Sequence, residues 1–295
     1  MGAGLDGDFR GTFPFEARYV TGARDVRLHY VDEGPSDAPP LLFIHGNPTW
    51  SYLWRRPIAA LSAEGIRCVA FDHMGFGRSD KPPHLAAYAL QAHIDNTIAL
   101  IDQLDLRDLT LVAHDWGGPI GIGALLERPE RLRGLVLVNT WAWELPSFLP
   151  PFLREFRTEG LGEILALGGN LFVESIPGGM ARRDTDSVMM EAYRAPFPSY
   201  WSRVGVLAFQ REIPLTERDR SARVMGRIHE GLERIADRPV TLVWGMRDRV
   251  FQPIFLEQWL ELFPSAHVVR LDDAAHFVPE DRPDALIDAL RAASG

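Results

Sequence analysis

The chain has little cysteine, little positive charge and no long apolar run, and each shortage removes a class of function. Cys68 is the single cysteine in 295 residues, so there is no internal disulfide and no cysteine-based zinc site to expect, and a reducing cytoplasm fits. The net charge is -9 with a pI near 5.5, and no lysine/arginine run interrupts the acidic balance. That argues against a nucleic-acid surface and against binding to anionic lipid. No apolar stretch reaches membrane-spanning length. The opening MGAGLDGDFR has no apolar core of a secretory signal, and Asp6 breaks the myristoylation pattern. Neither H-x-H nor H-E-x-x-H occurs, so the nine histidines do not suggest a metal site. No repeat and no low-complexity tract is present. What remains is ordinary: 46% hydrophobic and 24% charged residues, enough for one buried core and a large insertion.

The organising stretch is LTLVAHDWGGPIGIG, Leu109 to Gly123. Its β-branched apolar run stops at His114, Asp115 and Trp116, and glycines then lead into a helical run. This reads as strand, sharp turn and helix with a polar residue at the apex. The pattern small-x-nucleophile-x-small, from Ala113 to Gly117, is that of the α/β-hydrolase nucleophile turn, with a carboxylate in the nucleophile's place. Serine there points to acyl transfer. Aspartate points to alkyl transfer, because the ester forms on the enzyme's own carboxyl carbon and water can later hydrolyse it. The plainer reading is that Asp115 caps the helix that follows.

The rest of the chain supplies context for that turn. Residues 1–15 show no period and read as a loosely held lead-in. Two short strands, 17–20 and 26–31, form an edge hairpin. Leu41–Ile44, 66–71, the run before Asp115 and 135–138 read as buried strands, with helices over 52–63 and 88–104 between them. The alternation breaks after 138 and resumes at 240–244, with a helix over 253–262, a strand over 268–271 and a closing helix after Pro279. The expected fold is α/β, an α/β-hydrolase fold. Its sheet is mostly parallel and eight-stranded with helices on both faces, and residues 1–138 and 214–295 form the core under a helical cap of 139–213.

In an open α/β sheet, ligands bind at the carboxyl ends of the strands. Four polar groups fall there: Asn47, Asp115 with Trp116, Asp248 and His276. The order nucleophile, acid, histidine is that of the triad. A helix cap accounts for Asp115 but not for the matching placement of the others. His276 can take a proton from water. Asp248 can orient its ring, and Asp272 and Asp273 read as solvated turn residues instead.

Taken together, HGNPTWSYLWR, FGRSDKP and AHDWGG resemble the haloalkane dehalogenases, from about Arg18 to the C-terminus. The resemblance implies a catalytic set of Asp115, His276 and Asp248. It also implies a halide clamp from the side-chain N–H groups of Asn47 and Trp116, and an oxyanion hole from the backbone N–H groups of the same two residues. It further implies no cofactor and no metal, with a small apolar halogenated substrate, water and halide as the partners. Asn139 stands where some members carry the acid, which leaves that part to Asp248. Trp141, Trp143 and Trp201 read as wall or core residues. Phe148, Phe152, Phe172, Leu207 and Phe209 are candidate cavity liners. An epoxide hydrolase with the same nucleophile is the nearest alternative, and Tyr193 and Tyr200 are its candidate proton donors. A non-catalytic ligand-binding protein and a luciferase-like oxygenase on this scaffold are further ones.

Overall fold

The computed structural model describes residues 5, 7–145, 151–182 and 186–295. Eight strands form one sheet: β1 (Arg18–Thr21), β2 (Arg27–Glu33), β3 (Leu41–Ile44), β4 (Cys68–Phe71), β5 (Leu109–Asp115), β6 (Leu132–Thr140), β7 (Val240–Gly245) and β8 (His267–Leu271). Their order is β1-β2-β4-β3-β5-β6-β7-β8. The expected hairpin is there, with Arg18 opposite Tyr30, and β2 runs antiparallel to β4. Every other pair is parallel, with Ile44 beside both Phe71 and Ala113, and Val243 beside Val269. β3, β4 and β5 are buried at every residue, as unbroken apolar runs covered on both faces must be. The edges β1 and β8 are largely exposed.

The strand order reverses direction at β3. The chain leaves β3 for β4 on one side, then crosses back to β5 on the other, so the ends of β3 and β5 flank the switch point where an open sheet leaves room for a ligand. Helices α1 (Arg55–Ala63), α2 (Leu90–Gln103) and α3 (Gly117–Leu126) make the crossovers. Right-handed connection places α1 on one face and α2 and α3 on the other. α3 is buried along its whole length, because glycines on it let neighbours close in. A Cβ at Gly117 would strike the Ile44 carbonyl, and one at Gly121 would strike the side chains of Leu111 and Ile44.

Between β6 and β7 the described chain forms helices and turns but no strand: α4 (Pro151–Arg157), α5 (Leu171–Glu174), α6 (Ser187–Arg194), α7 (Val204–Glu212) and α8 (Ala222–Gly231), with a π-helical turn at Glu163–Gly168. α8 is an element the sequence pattern did not declare, because Arg223, Arg227, His229 and Glu230 interrupt its apolar residues. Its buried side, Ala222, Met225 and Ile228, closes over α3 beside Gly123. After β7 come α9 (Pro253–Leu262), α10 (Val278–Asp281) and α11 (Pro283–Ser294), and α11 packs on α1.

The lead-in is not loose where it is described. Phe9 and Phe13 are buried and make ring contacts with Trp50 and Tyr52 at 5.0–5.8 Å. The Arg78 guanidinium donates to the carbonyls of Leu5 and Gly7. Two aromatic anchors and an arginine clamp hold this segment, and neither leaves a periodic trace in sequence.

Candidate active site

Asp115 ends β5 with a left-handed backbone, φ 52°, and Trp116 begins the turn into α3. That turn lifts the carboxylate clear of the sheet. It demands a bare neighbour, since a Cβ at Gly46 would land on the Asp115 carboxylate. The loop after β3 then brings the Asn47 backbone N–H to Asp115 Oδ1 at 2.8 Å, and the Trp116 backbone N–H also supports the carboxylate. The Thr140 hydroxyl donates to the Asp115 carbonyl at 2.5 Å, so β6 braces the same turn.

His276 follows β8. Its Nδ1–H donates to Asp248 Oδ2 at 2.9 Å, and its Nε2 lies 3.9 Å from Asp115 Oδ2. The proton sits on Nδ1 because a carboxylate only accepts, which leaves Nε2 toward the nucleophile's second oxygen. Asp248 is itself fixed: Asn139 Nδ2 donates to its Oδ2 at 2.9 Å and the Val250 N–H to its Oδ1 at 2.7 Å. Asp272 and Asp273 hold no such place; Asp273 pairs with Arg282, and Asp272 offers Arg247 its backbone carbonyl.

Burial pushes the Asp115 carboxyl up to about 6, against the pull of His276 and of the Trp116 and Asn47 N–H groups. Burial works against the charged form of His276, but the adjoining Asp248 carboxylate, with Asp115 and Asp281 beyond it, raises its pKa above the ordinary value. Each of the two groups favours the charged form of the other. The last proton therefore leaves the pair at a higher pH than it would leave an ordinary histidine.

Asn47, Asp115, Trp116, Asp248 and His276 all line one partly open cavity of about 580 Å³. That size suits a small organic ligand. One hydrogen of Asn47 Nδ2 is given to the Val206 carbonyl of α7 at 3.1 Å. An amide nitrogen has two, so one donor remains. The Trp116 ring is wedged between Trp141 and Phe209, with centroids 4.9 and 5.1 Å away.

The walls differ from the sequence reading. Phe172 and Trp141 line the cavity, and Trp143 is core, packed on Trp259. Trp201 is neither wall nor core, being 62% exposed in a single 3-10 turn. Phe209 stands behind Trp116, and Leu207 belongs to a separate cluster with Leu28, Met74 and Tyr88. Phe148 and the side chain of Phe152 lie outside the described residues.

Several supporting residues went unassigned in sequence. His114, next to the nucleophile, donates from Nε2 to the His276 carbonyl at 2.8 Å, and burial keeps it neutral. Asn139, noted only as an absent acid, tethers the present one. Gln210 lines the cavity fully buried. Asp281 accepts from the backbone N–H groups of Ala275, Ala181 and Arg182 at 2.8–3.1 Å, stitching the segment before α6 to the His276 loop. An acidic residue five after the histidine was the available signal.

Residues 39–172 match the α/β-hydrolase fold family. The chain is 38% identical over 284 residues to a cis-3-alkyl-4-alkyloxetan-2-one decarboxylase of Shewanella oneidensis, covering 94% of this chain and 88% of that protein. It is 37% identical over 280 residues to haloalkane dehalogenase 2 of Mycobacterium tuberculosis, covering 94% of each. The chain belongs to the α/β-hydrolase family. Among solved structures, an ancestral haloalkane dehalogenase superposes on this α/β-hydrolase with a TM-score of 0.85 at 33% identity, over 94% of this chain and 98% of that one. The relatives thus carry two different reactions on one hydrolase scaffold.

Proposed function

We propose that this α/β-hydrolase converts haloalkanes to alcohol and halide through an ester on Asp115. The observation that carries the reading is the division of labour at that carboxylate: Oδ1 is held by the Asn47 N–H while Oδ2 faces His276 across 3.9 Å in the same cavity. Ionised Asp115 attacks the halogen-bearing carbon. An O–C bond forms, the C–X bond breaks, and its electron pair leaves with the halide, which the free N–H of Asn47 and the Trp116 indole N–H receive. Donors fixed in a dry pocket stabilise such charge far better than water does.

Esterification removes the Asp115 charge that helps hold a proton on His276, so the first step itself favours the neutral base. His276 Nε2 then takes a proton from water, whose oxygen attacks the carboxyl carbon. The oxyanion on Oδ1 meets the backbone N–H groups of Asn47 and Trp116. Collapse releases the alcohol, with the imidazolium returning the proton to its oxygen. In this reading residues 139–213 act as the cap over a core of 1–138 and 214–295.

One observation favours a second reading: relatives 38% and 36% identical to this chain are named oxetanone decarboxylases. The same carboxylate could open a β-lactone at its alkoxy carbon. Loss of CO₂ would then send the C–C pair into an alkene and return the ester's pair to Asp115. The epoxide alternative is weaker, because the Tyr193 hydroxyl is committed to Glu280 at 2.6 Å, Tyr200 is exposed, and neither lines the cavity. Bromide release from 1-bromoalkanes, measured beside CO₂ release from a dialkyl oxetanone, decides between the two. Bromide and alcohol in equal amounts support dehalogenation; CO₂ and alkene alone overturn it.

A further inference from the structure

We infer that the preferred substrate of this site carries a carboxylate at the end of its chain remote from the reacting carbon, received by an arginine rim. The inference deepens the dehalogenase reading and rests on it for the identity of the reacting end. Arg182, Arg247 and Arg249 all line the cavity, and all three are exposed. None of them forms an ion pair with a carboxylate of the described residues, whereas Arg67, Arg157, Arg211 and Arg282 elsewhere each do. Among the described residues, the only carboxylates lining the cavity are Asp115 and Asp248, both tied into the histidine network at its floor.

A chain of net charge -9 thus lines this cavity with three arginines that no carboxylate of the described residues pairs. Apart from Ser175 and Gln210, the rest of the lining is mostly apolar, with Leu145, Leu153, Phe172, Met180, Ile213 and Phe251. Buried reacting groups, an apolar lining and exposed arginines match an amphiphile: halogen-bearing carbon at Asp115, alkyl chain along the apolar lining, carboxylate at the arginines.

The rim is also held in place. The Arg182 N–H is bonded to Asp281, and Arg247 is pinned by its N–H to the Ala274 carbonyl and by Nε to the Asp272 carbonyl. Arg249 sits between Asp248 and Val250, whose N–H closes on Asp248 Oδ1. Cations carried on backbone fixed in this way present a standing positive field at a low-dielectric mouth, which raises the local concentration of anions. Arginine also offers a planar fork suited to a carboxylate.

The test compares ω-bromoalkanoates of increasing chain length with their methyl esters and with the matching 1-bromoalkanes at low ionic strength. At the best length the carboxylate should exceed its ester in kcat/KM by about tenfold, through KM, as two exposed charge pairs allow. The advantage should vanish in about 0.5 M salt and in the Arg182→Ala/Arg249→Ala double variant. The Arg182→Lys/Arg249→Lys variant should keep most of it, and 1-bromoalkane turnover should stay within about twofold in both. Equal kcat/KM for acid and ester at every length overturns the inference, and so does an advantage that survives the alanine variant. Calorimetric binding of the halogen-free alkanoates reads the rim without chemistry. Binding that the alanine variant abolishes, with no bromide released from any substrate, supports the rim and defeats the dehalogenase reading instead. No binding in the parent protein, with 1-bromoalkanes consumed, overturns the rim alone.

Discussion

The floor and the wall of the cavity are built on different principles. The floor comes from the ends of five adjacent parallel strands: Asn47 after β3, Asp115 on β5, Asn139 on β6, Asp248 after β7 and His276 after β8. Each of its polar groups is fixed by others at 2.7–3.2 Å. The wall, from the segment between β6 and β7, is mostly apolar. It touches the floor's polar groups largely through its own backbone: the Val206 carbonyl on Asn47, the Gly179 carbonyl on the His276 N–H, and the Ala181 and Arg182 N–H groups on Asp281. Reactive geometry therefore depends mainly on the wall's path, with Trp141 and Phe209 the wall side chains that flank the Trp116 ring. Side chains there are free to set which substrate fits.

That contrast can be broken or sharpened by substitution. Asp115→Ala should remove turnover of every substrate, a loss of about 10⁴-fold or more in kcat, read by halide release. Partial activity on some substrates would contradict the division. Glu280→Gln strikes the junction of the two regions. Glu280 is buried, takes a bidentate bond from Arg55 at 2.5 and 2.9 Å, and accepts from Tyr193 of α6. Leaving Arg55 uncompensated should cost about 3–5 kcal/mol in a urea titration, and Tyr193→Phe about 1.5–3 kcal/mol.

The next effect is on pH. Burial lowers His45 to about 4 and His93 to about 3, so both fold neutral. Below about 6.5 the unfolded chain binds protons that the folded one refuses. Stability should fall as pH drops from about 6.5 toward 4. The Asp72 carboxyl, held low by His29 despite its burial, adds a further loss only below about pH 4. His93→Phe should flatten part of the first decline in urea midpoints measured across pH.

Asn139→Ala tests the floor more finely. Without its N–H, Asp248 pulls harder on the His276 proton. The alkaline-going limb of the kcat profile should then move up by about one pH unit, with about a tenfold loss at pH values below the limb. A merely structural part for Asn139 would lower the plateau and leave the limb in place. Smallest of all, Phe172→Ala should change the ratio of long to short substrates by about threefold to tenfold while sparing kcat on short ones.

The same contrast explains what could be read in advance. Buried strands such as Leu41–Ile44 announce themselves as unbroken apolar runs, and the polar residues just beyond them fall where parallel sheets bind ligands. The meeting of residues 47, 115, 248 and 276 followed from chain order alone. Helix α8 stayed hidden because Arg223, Arg227, His229 and Glu230 break its apolar side into isolated residues. Phe9 and Phe13 stayed hidden because two isolated rings make no period. The wall was least legible: burial of Leu207 and exposure of Trp201 depend on how short helices stack, which local pattern does not encode. His114 and Asp281 act through bonds to backbone, which carry no residue-type signature at the partner.

The central claim is that Asp115 is alkylated and that His276 only releases it. Intact-mass and peptide analysis of His276→Phe after exposure to a 1-bromoalkane tests this most directly. The expected result is one bromide released per protein molecule and one alkyl group retained on the peptide holding Asp115. Continued turnover in that variant, or bromide release with no retained alkyl group, would contradict the account.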